Sequence, residues 1–342
     1  MNLSQVTTLR MGGPAKKIVE ATTEGGLIEA VRSADLAGEP VLLVAGGSNL
    51  VVADEGFDGT VVLVRTGGIT ESVDECSGAL VTVAAGENWD DFVAYAISRD
   101  WAQIEALSGI PGAVGSTPIQ NVGAYGQQVS DTIAAVRAWD REEDRVTTLM
   151  AADLEFGYRS SLFKTQPGRY VVLTVQFQFP LAAGLSAPVR YAELARILGI
   201  AEGERAELAA VRQAVLGLRA AKGMVLDSLD HDTWSAGSFF TNPIISEAAA
   251  EALGESAPKF LQPDGTVKTS AAWLIEQSGF ARGYQRGGVG LSTKHTLALI
   301  NRGAGTATEL IDLAREVRDE VEKRFSVRLV NEPVFVGLEL SR

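Results

Sequence analysis

Apolar positions along the first third of the chain recur with two different periods. The run KKIVEA, residues 16–21, reads as a strand. In TEGGLIEAVRSADLAG the apolar Leu27, Val31 and Ala34 share one face of a predicted helix. PVLLVAGG is a continuous apolar strand running into glycines, and TVVLV and LVTVAAG are further strands. NWDDFVAYAISRD predicts a helix capped by Asn88, with Asp90 and Asp91 in its first turn. Strands are then expected around VRAWD, RVTTLM and RYVVLTVQFQF.

Between residues 191 and 222 the pattern becomes helical, with Leu208, Val211, Val215 and Leu218 spaced three, four and three apart. AGSFFTNP and TSAAWLIEQSGF lead to a strand, TLALIN. A helix follows over 307–325: Thr306 and Glu309 make a capping-box pattern, and Leu310, Leu313, Val317 and Val321 its apolar stripe. A closing strand is expected near RLVNEPVFVGL. The alternation predicts a mixed α/β protein of more than one domain, cut near residues 66 and 215.

Length and composition narrow the class. A chain of 342 residues, 46% hydrophobic and 21% charged, can bury the cores of two or three domains. No apolar run nears the roughly 20 residues of a membrane-spanning helix, and MNLSQVTTLRMGGPAKK has no apolar core of a secretory signal. One cysteine, Cys76, permits no intrachain disulfide, so a cytoplasmic location is expected. A net charge of −13 disfavours nucleic acid and anionic membranes as partners. An anionic ligand must therefore be attracted locally, by arginines, lysines and backbone N–H groups.

Several chemistries are missing. There is no G-x-x-x-x-G-K-[ST] and no G-x-S-x-G; two histidines and no H-E-x-x-H leave no zinc pattern. RGAGTATEL is a broken dinucleotide fingerprint, with Thr308 at the third glycine position, and the capping box accounts for it. Two glycine-rich loops remain. In VLLVAGGSNL, Gly46, Gly47, Ser48 and Asn49 follow a buried strand, where α/β proteins usually bind ligands. SGIPGAVGSTPIQNVGAYG, residues 108–126, carries five glycines, two prolines and no charge. Gly112, Gly115, Gly123 and Gly126 would permit φ values closed to other residues. Each loop is a ligand cradle or a plain turn; two in one chain favour the ligand.

GGSNL, SGIPGAVGSTPIQNVGAYG, FGYRSSLF, AGSFFTNP and NEPVF, in that order from residue 46 to 335, resemble the UDP-N-acetylenolpyruvoylglucosamine reductase family. The resemblance implies an α+β fold, with a two-part FAD-binding domain of the vanillyl-alcohol-oxidase type and a C-terminal α/β substrate-binding domain. Its parts would be residues 1–65, joined by a C-terminal strand over 327–342; residues 66–215; and residues 216–326. It implies a cytoplasmic monomer of peptidoglycan precursor synthesis, with FAD as cofactor, NADPH as reductant and UDP-N-acetylglucosamine enolpyruvate as substrate. Carried over by motif, FAD would be held by Gly46, Gly47, Ser48, Asn49, Leu50, Ile110, Pro111, Gly112, Gly115, Ser116, Ile119, Gly123, Ala124 and Tyr125.

The implied chemistry delivers a hydride from flavin N5 to the enolpyruvyl CH₂ and a proton to the adjacent carbon. Arg159 would clamp the substrate carboxylate as charge builds there, although an arginine in such a motif is also a common ion-pair partner. Glu332 would stand beside it, protonated through burial, or be an edge-strand charge. Ser238 would donate the proton, or be a turn serine. Tyr158, Tyr191, Arg219, Lys222, Asn242 and His295 would contact the UDP-sugar. Tyr191 resembles the tyrosine loop of the family's longer subtype. The segment between Lys222 and Ser238 is longer than the family pattern, and His295 stands where glutamine is common. The alternatives are another FAD-dependent oxidase or dehydrogenase, or a nucleotide-binding protein without catalysis.

Overall fold

The computed structural model describes residues 1–340. By contact the chain parts into two compact units, one of residues 1–15, 47–57 and 221–342, the other of 16–46 and 58–220. The expected cuts at 66 and 215 divide the chain into three instead, along different lines. Residues 341–342, the end of the expected C-terminal strand, lie outside the described residues.

The second unit holds two sheets over one apolar core. In the smaller sheet, Phe57–Val64 lies between Ala15–Ala21 and Val41–Val44, the latter parallel to it. The larger is antiparallel, in the order Arg145–Met150, Ile133–Asp140, Tyr170–Phe179, Gly78–Ala84, Ile69–Asp74. Tyr170–Phe179 alternates along its second half, turning Val175, Phe177 and Phe179 into the core. Phe177 meets Phe92 at 5.1 Å and stacks on Phe179 at 5.7 Å. Each such ring, fully buried, stabilises the fold by about 1.5–3 kcal/mol.

The helices obey their sequence signals. Glu24–Leu36 buries Leu27, Val31 and Ala34, and its Thr23 cap accepts from the Gly26 N–H at 3.1 Å. Trp89–Ser98 starts where the Asn88 side chain accepts from the Asp91 N–H at 3.1 Å. The 191–222 stretch is not one helix. It divides into Ala192–Leu198, ended by left-handed Gly199, and Leu208–Ala221, which buries the four expected residues. Left-handed backbone at Gly199 turns its N–H and that of Ile200 back to donate to the last helical carbonyls, which ends the helix.

The first unit packs a core around the helix Ala307–Phe325, whose Leu310, Leu313, Val317 and Val321 are all fully buried. Beside it run the antiparallel strands Gln285–Arg286, Val289–Leu291 and Leu299–Asn301. The closing strand is short, Val334–Val336, and pairs in parallel with Leu50–Val52. Among the described residues no helix is long and apolar enough to cross a membrane.

The capping box at Thr306 and Glu309 forms as expected, but a second carboxylate also occupies that helix end. Asp54 accepts from the N–H groups of Ala307 at 2.8 Å and Thr308 at 3.0 Å, and from the Thr308 hydroxyl at 2.7 Å. An anion already sits where a dinucleotide phosphate would have to bind, which disposes of RGAGTATEL as a cofactor site. Asp54→Ala should lower stability by about 1–2 kcal/mol, read as a fall in Tm. An unchanged Tm would show that the Thr306 box alone caps the helix.

Candidate active site

The two glycine loops are the natural starting point. Val41–Val44 runs into Gly46, which approaches Gly112 of the second loop so closely that a Cβ on Gly46 would lie 2.5 Å from the Gly112 Cα. Gly46 cannot carry a side chain without forcing the turns apart. Gly112 has φ +134 and its carbonyl accepts from the Trp89 N–H, at the start of the second helix. Next along the chain, Gly47 combines φ +60 with a Cβ position 1.8 Å from the Val6 carbonyl oxygen.

The glycines of 108–126 serve two purposes, not one. Gly109, Gly112 and Gly126 have positive φ, as expected of the last two. Gly115 and Gly123 do not; they are needed for space, because a Cβ would lie 2.4 Å from the Ala85 Cβ and 2.9 Å from the Gln127 carbonyl oxygen. The left-handed conformations fall instead on Asn121, φ 45, and Tyr125, φ 50. Such residues cost of order 1–3 kcal/mol and persist where their surroundings over-determine them. Asn121 is buried, donates to the Gln128 side chain and the Gly157 carbonyl, and accepts from the Ser130 N–H.

The loop then grips the FGYRSSLF segment. Ser161 donates to the Ile119 carbonyl at 2.6 Å, and Arg159 Nη2 donates to the Gly123 carbonyl at 2.9 Å. Arg159 itself is left-handed, φ 52, with its guanidinium 5.9 Å from the Tyr158 ring centre. Tyr125 meets Tyr191 edge-on, centroids 5.2 Å apart. Arg219 lies near Tyr125, Asp90 and Arg159. Burial holds its guanidinium below the ordinary arginine value; Tyr125 and Asp90 offset part of that, and Arg159 adds to it. Ile110, Pro111, Gly112, Gly115, Ser116, Ile119, Gly123, Ala124, Tyr125, Tyr158, Arg159, Tyr191 and Arg219 thus all belong to the second unit, as does Gly46.

The first unit carries the other expected residues. Val334 N–H donates to the Asn49 carbonyl, and Asn49 Nδ2 approaches the Glu332 carbonyl at 3.4 Å. The half-buried Glu332 donates its N–H at 2.8 Å to the carbonyl of Phe239, the residue after Ser238. Gly237, φ +74, makes the turn into Ser238, and the Ser235 hydroxyl accepts its N–H at 3.2 Å. Pro333 restricts Glu332 to extended backbone. Asn242 spends its side-chain oxygen on the Ala271 N–H at 3.0 Å, at the start of the helix Ala271–Gln277. His295 is half-buried, with its carbonyl accepting from Ala298. The long segment after Lys222 is ordered by its own acids: Asp230 pairs with Lys294 at 2.5 Å, and Asp232 accepts from the Thr293 N–H at 2.8 Å. Ser48 and Leu50 flank Asn49 in this unit.

Against that geometry, residues 15–149 match the model of an FAD binding domain, and residues 228–336 match that of the UDP-N-acetylenolpyruvoylglucosamine reductase, C-terminal domain. The UDP-N-acetylenolpyruvoylglucosamine reductase of Cutibacterium acnes is 55% identical over 338 residues, 98% of this chain and 89% of the relative. That of Streptomyces avermitilis is 54% identical over 348 residues, 99% of this chain and 94% of the relative. The chain belongs to the UDP-N-acetylenolpyruvoylglucosamine reductase family. The crystal structure of the reductase from Thermus caldophilus shares the fold, with a TM-score of 0.65 at 22% identity, over 98% of this chain and 97% of that one.

A reductase of this family is an FAD-dependent oxidoreductase, and the residues present fit the cofactor. The 108–126 loop offers backbone donors and no carboxylate to repel a diphosphate. Sequence reading missed one residue of this wall's support. Asp90 is more than a helix-start carboxylate: it pairs two-pronged with Arg212 at 2.7 and 2.8 Å and accepts from the Gly109 N–H at 2.6 Å. Arg212 and Arg219, seven apart on one helix face, were the available signal. Among the described residues no group of three or more histidines, cysteines or carboxylates is placed to hold a metal.

Gly46→Ala should weaken FAD retention at least tenfold, read as the ratio of flavin to protein absorbance after gel filtration. Undiminished flavin would mean that the loops separate without cost. The Asp90 carboxyl responds to burial, which raises its pKa, but Arg212, the Gly109 N–H and Arg219 together outweigh this and lower it. A depressed folded pKa gives stability present above the unfolded value, about 4, and lost as pH falls through the folded one. The Tm gap between wild type and Asp90→Asn should therefore be full at neutral pH and close in strong acid. A gap independent of pH would exclude the charge as its source.

Proposed function

We propose that the chain reduces UDP-N-acetylglucosamine enolpyruvate to UDP-N-acetylmuramate with electrons from NADPH, as a cytoplasmic monomer in peptidoglycan precursor synthesis. The reading divides the chain into residues 1–65 with the C-terminal strand, 66–215 and 216–326. The observation that carries it is a backbone bond that joins the Ser238 and Glu332 segments within one unit. The Glu332 N–H to Phe239 carbonyl bond supports a shared site for the hydroxyl and the carboxyl, as proton delivery beside a carboxylate-bearing carbon requires.

FAD, when bound, would supply two-electron redox chemistry between NADPH and the enolpyruvyl double bond. Arg159 holds the substrate carboxylate. Its guanidinium stays charged throughout and can grip both carboxylate oxygens, so it stabilises negative charge building there. The hydrogen bond to the Gly123 carbonyl and the left-handed backbone at residue 159 support such aim, since both restrict where the guanidinium points. Ser238 gives its proton to the carbon bearing the carboxylate, and Glu332 supports the enolate-like charge as a hydrogen-bond donor. Tyr158, Tyr191, Arg219, Lys222, Asn242 and His295 bind the UDP-sugar. Asn242 can do so through its amide while its oxygen stays on Ala271. The backbone of 46–50 and of 110–125 holds the cofactor.

Anaerobic titration tests the reading. NADPH should bleach the yellow protein and UDP-N-acetylglucosamine enolpyruvate should restore the colour; no return of colour with intact flavin would overturn the substrate assignment. Ser238→Ala should leave bleaching by NADPH nearly unchanged and slow the return about 10²–10⁴-fold. Equal slowing of both halves would remove Ser238 as the proton donor.

A further inference from the structure

Glu105 is a carboxylate with no solvent exposure, outside every motif that identified the family. Its oxygens accept from three neutral donors: the Gln103 N–H at 2.6 Å, the Ala187 N–H at 2.7 Å and Gln127 Nε2 at 3.0 Å. These donors come from three separate stretches of chain. Gln127 is held a second time, since its side-chain oxygen accepts from the Ala106 N–H at 2.8 Å.

Two of these stretches lead to a tyrosine. Gln127 pairs with Ala124 in the small hairpin of Gly123–Ala124 with Gln127–Gln128, and Tyr125 sits at its tip. That same hairpin offers the Gly123 carbonyl to Arg159. Ala187 stands four residues before Tyr191, on a stretch that Val189 also pins through the Glu204 carbonyl. Tyr125 and Tyr191 then meet edge-on. Tyr125 is left-handed, so its ring direction is imposed by its surroundings. A polar group left buried without a partner is costly, so the carboxylate holds both stretches in one relation.

We propose that Glu105 is a positioning residue for substrate binding: one buried carboxylate sets the Tyr125 hairpin and the Tyr191 segment against each other. The proposal rests on the reading that Tyr191 contacts the UDP-sugar. Ala187 and Gln127 share one carboxylate oxygen, Oε1; Glu105→Met keeps most of the volume but offers no such acceptor, so both links break.

Stopped-flow and steady-state kinetics of the flavin-loaded enzyme test it with Glu105→Met, Tyr191→Ala and the double variant. Glu105→Met should raise KM for UDP-N-acetylglucosamine enolpyruvate about tenfold or more, with flavin reduction by NADPH changed less than about twofold. Glu105→Asp, which keeps the charge, should recover part of the loss. In the Tyr191→Ala background the Glu105 substitution should add little, because the two act on one contact. Equal damage to both half-reactions, or full additivity with Tyr191→Ala, would overturn the proposal and leave Glu105 a folding residue. If Tyr191→Ala leaves KM unchanged, the reading of Tyr191 fails instead. Should Glu105→Met not fold, Gln127→Met severs the hairpin link without the Ala187 one, and an unchanged KM there would also overturn the proposal.

Discussion

The contact between Gly46 and Gly112 is the constraint on which the cofactor wall of the second unit depends. Two turns, about 65 residues apart in sequence, bring their backbones so close that one added methyl would overlap main chain. A backbone without side chains leaves N–H groups as the surface, and these suit a diphosphate better than any carboxylate or apolar ring. The Gly112 carbonyl bond to Trp89 ties this contact to a helix whose Trp89 and Phe92 lie in the aromatic core. Packing energy remote from the site thereby holds a loop that has little packing of its own.

Charge is arranged on the same principle. A protein of net charge −13 that must hold anions keeps its cations where they are needed. Asp90 neutralises Arg212 by a two-pronged pair, while Arg219, toward the end of the same helix, lies near Tyr125, Asp90 and Arg159. Cations grouped in this way are the feature to expect of a site, whereas the surface pairs such as Lys16 with Asp58 contribute little.

Legibility in the sequence followed the range of the interactions. The helix Ala307–Phe325 was readable to its cap, because Thr306, Glu309 and the stripe of Leu310, Leu313, Val317 and Val321 act within a few residues of one another. The helix Ala271–Gln277 and the short strands at 244–245, 259–261 and 267–269 were not assigned; two- and three-residue strands carry no period to detect. The 191–222 stretch carries a helical pattern, but residues 199–207, opened by left-handed Gly199, separate its two helices. Glu105 drew no notice, since a glutamate before an apolar run looks like any surface acid until its three donors are known.

The sequence by itself determined the α+β class, the helix caps and their buried stripes, and, through five ordered blocks, the family. These follow from local periodicity and from residue order, which are properties of the chain as written. Tertiary structure alone decided why each glycine is required. Gly112 and Gly126 answer to φ, whereas Gly115 and Gly123 answer to the neighbours Ala85 and Gln127, and Tyr125 and Arg159 take left-handed backbone that composition would assign to glycine. The reason is physical: steric room and hydrogen-bond partners come from chain segments tens of residues away, and no local pattern encodes what will be folded against it.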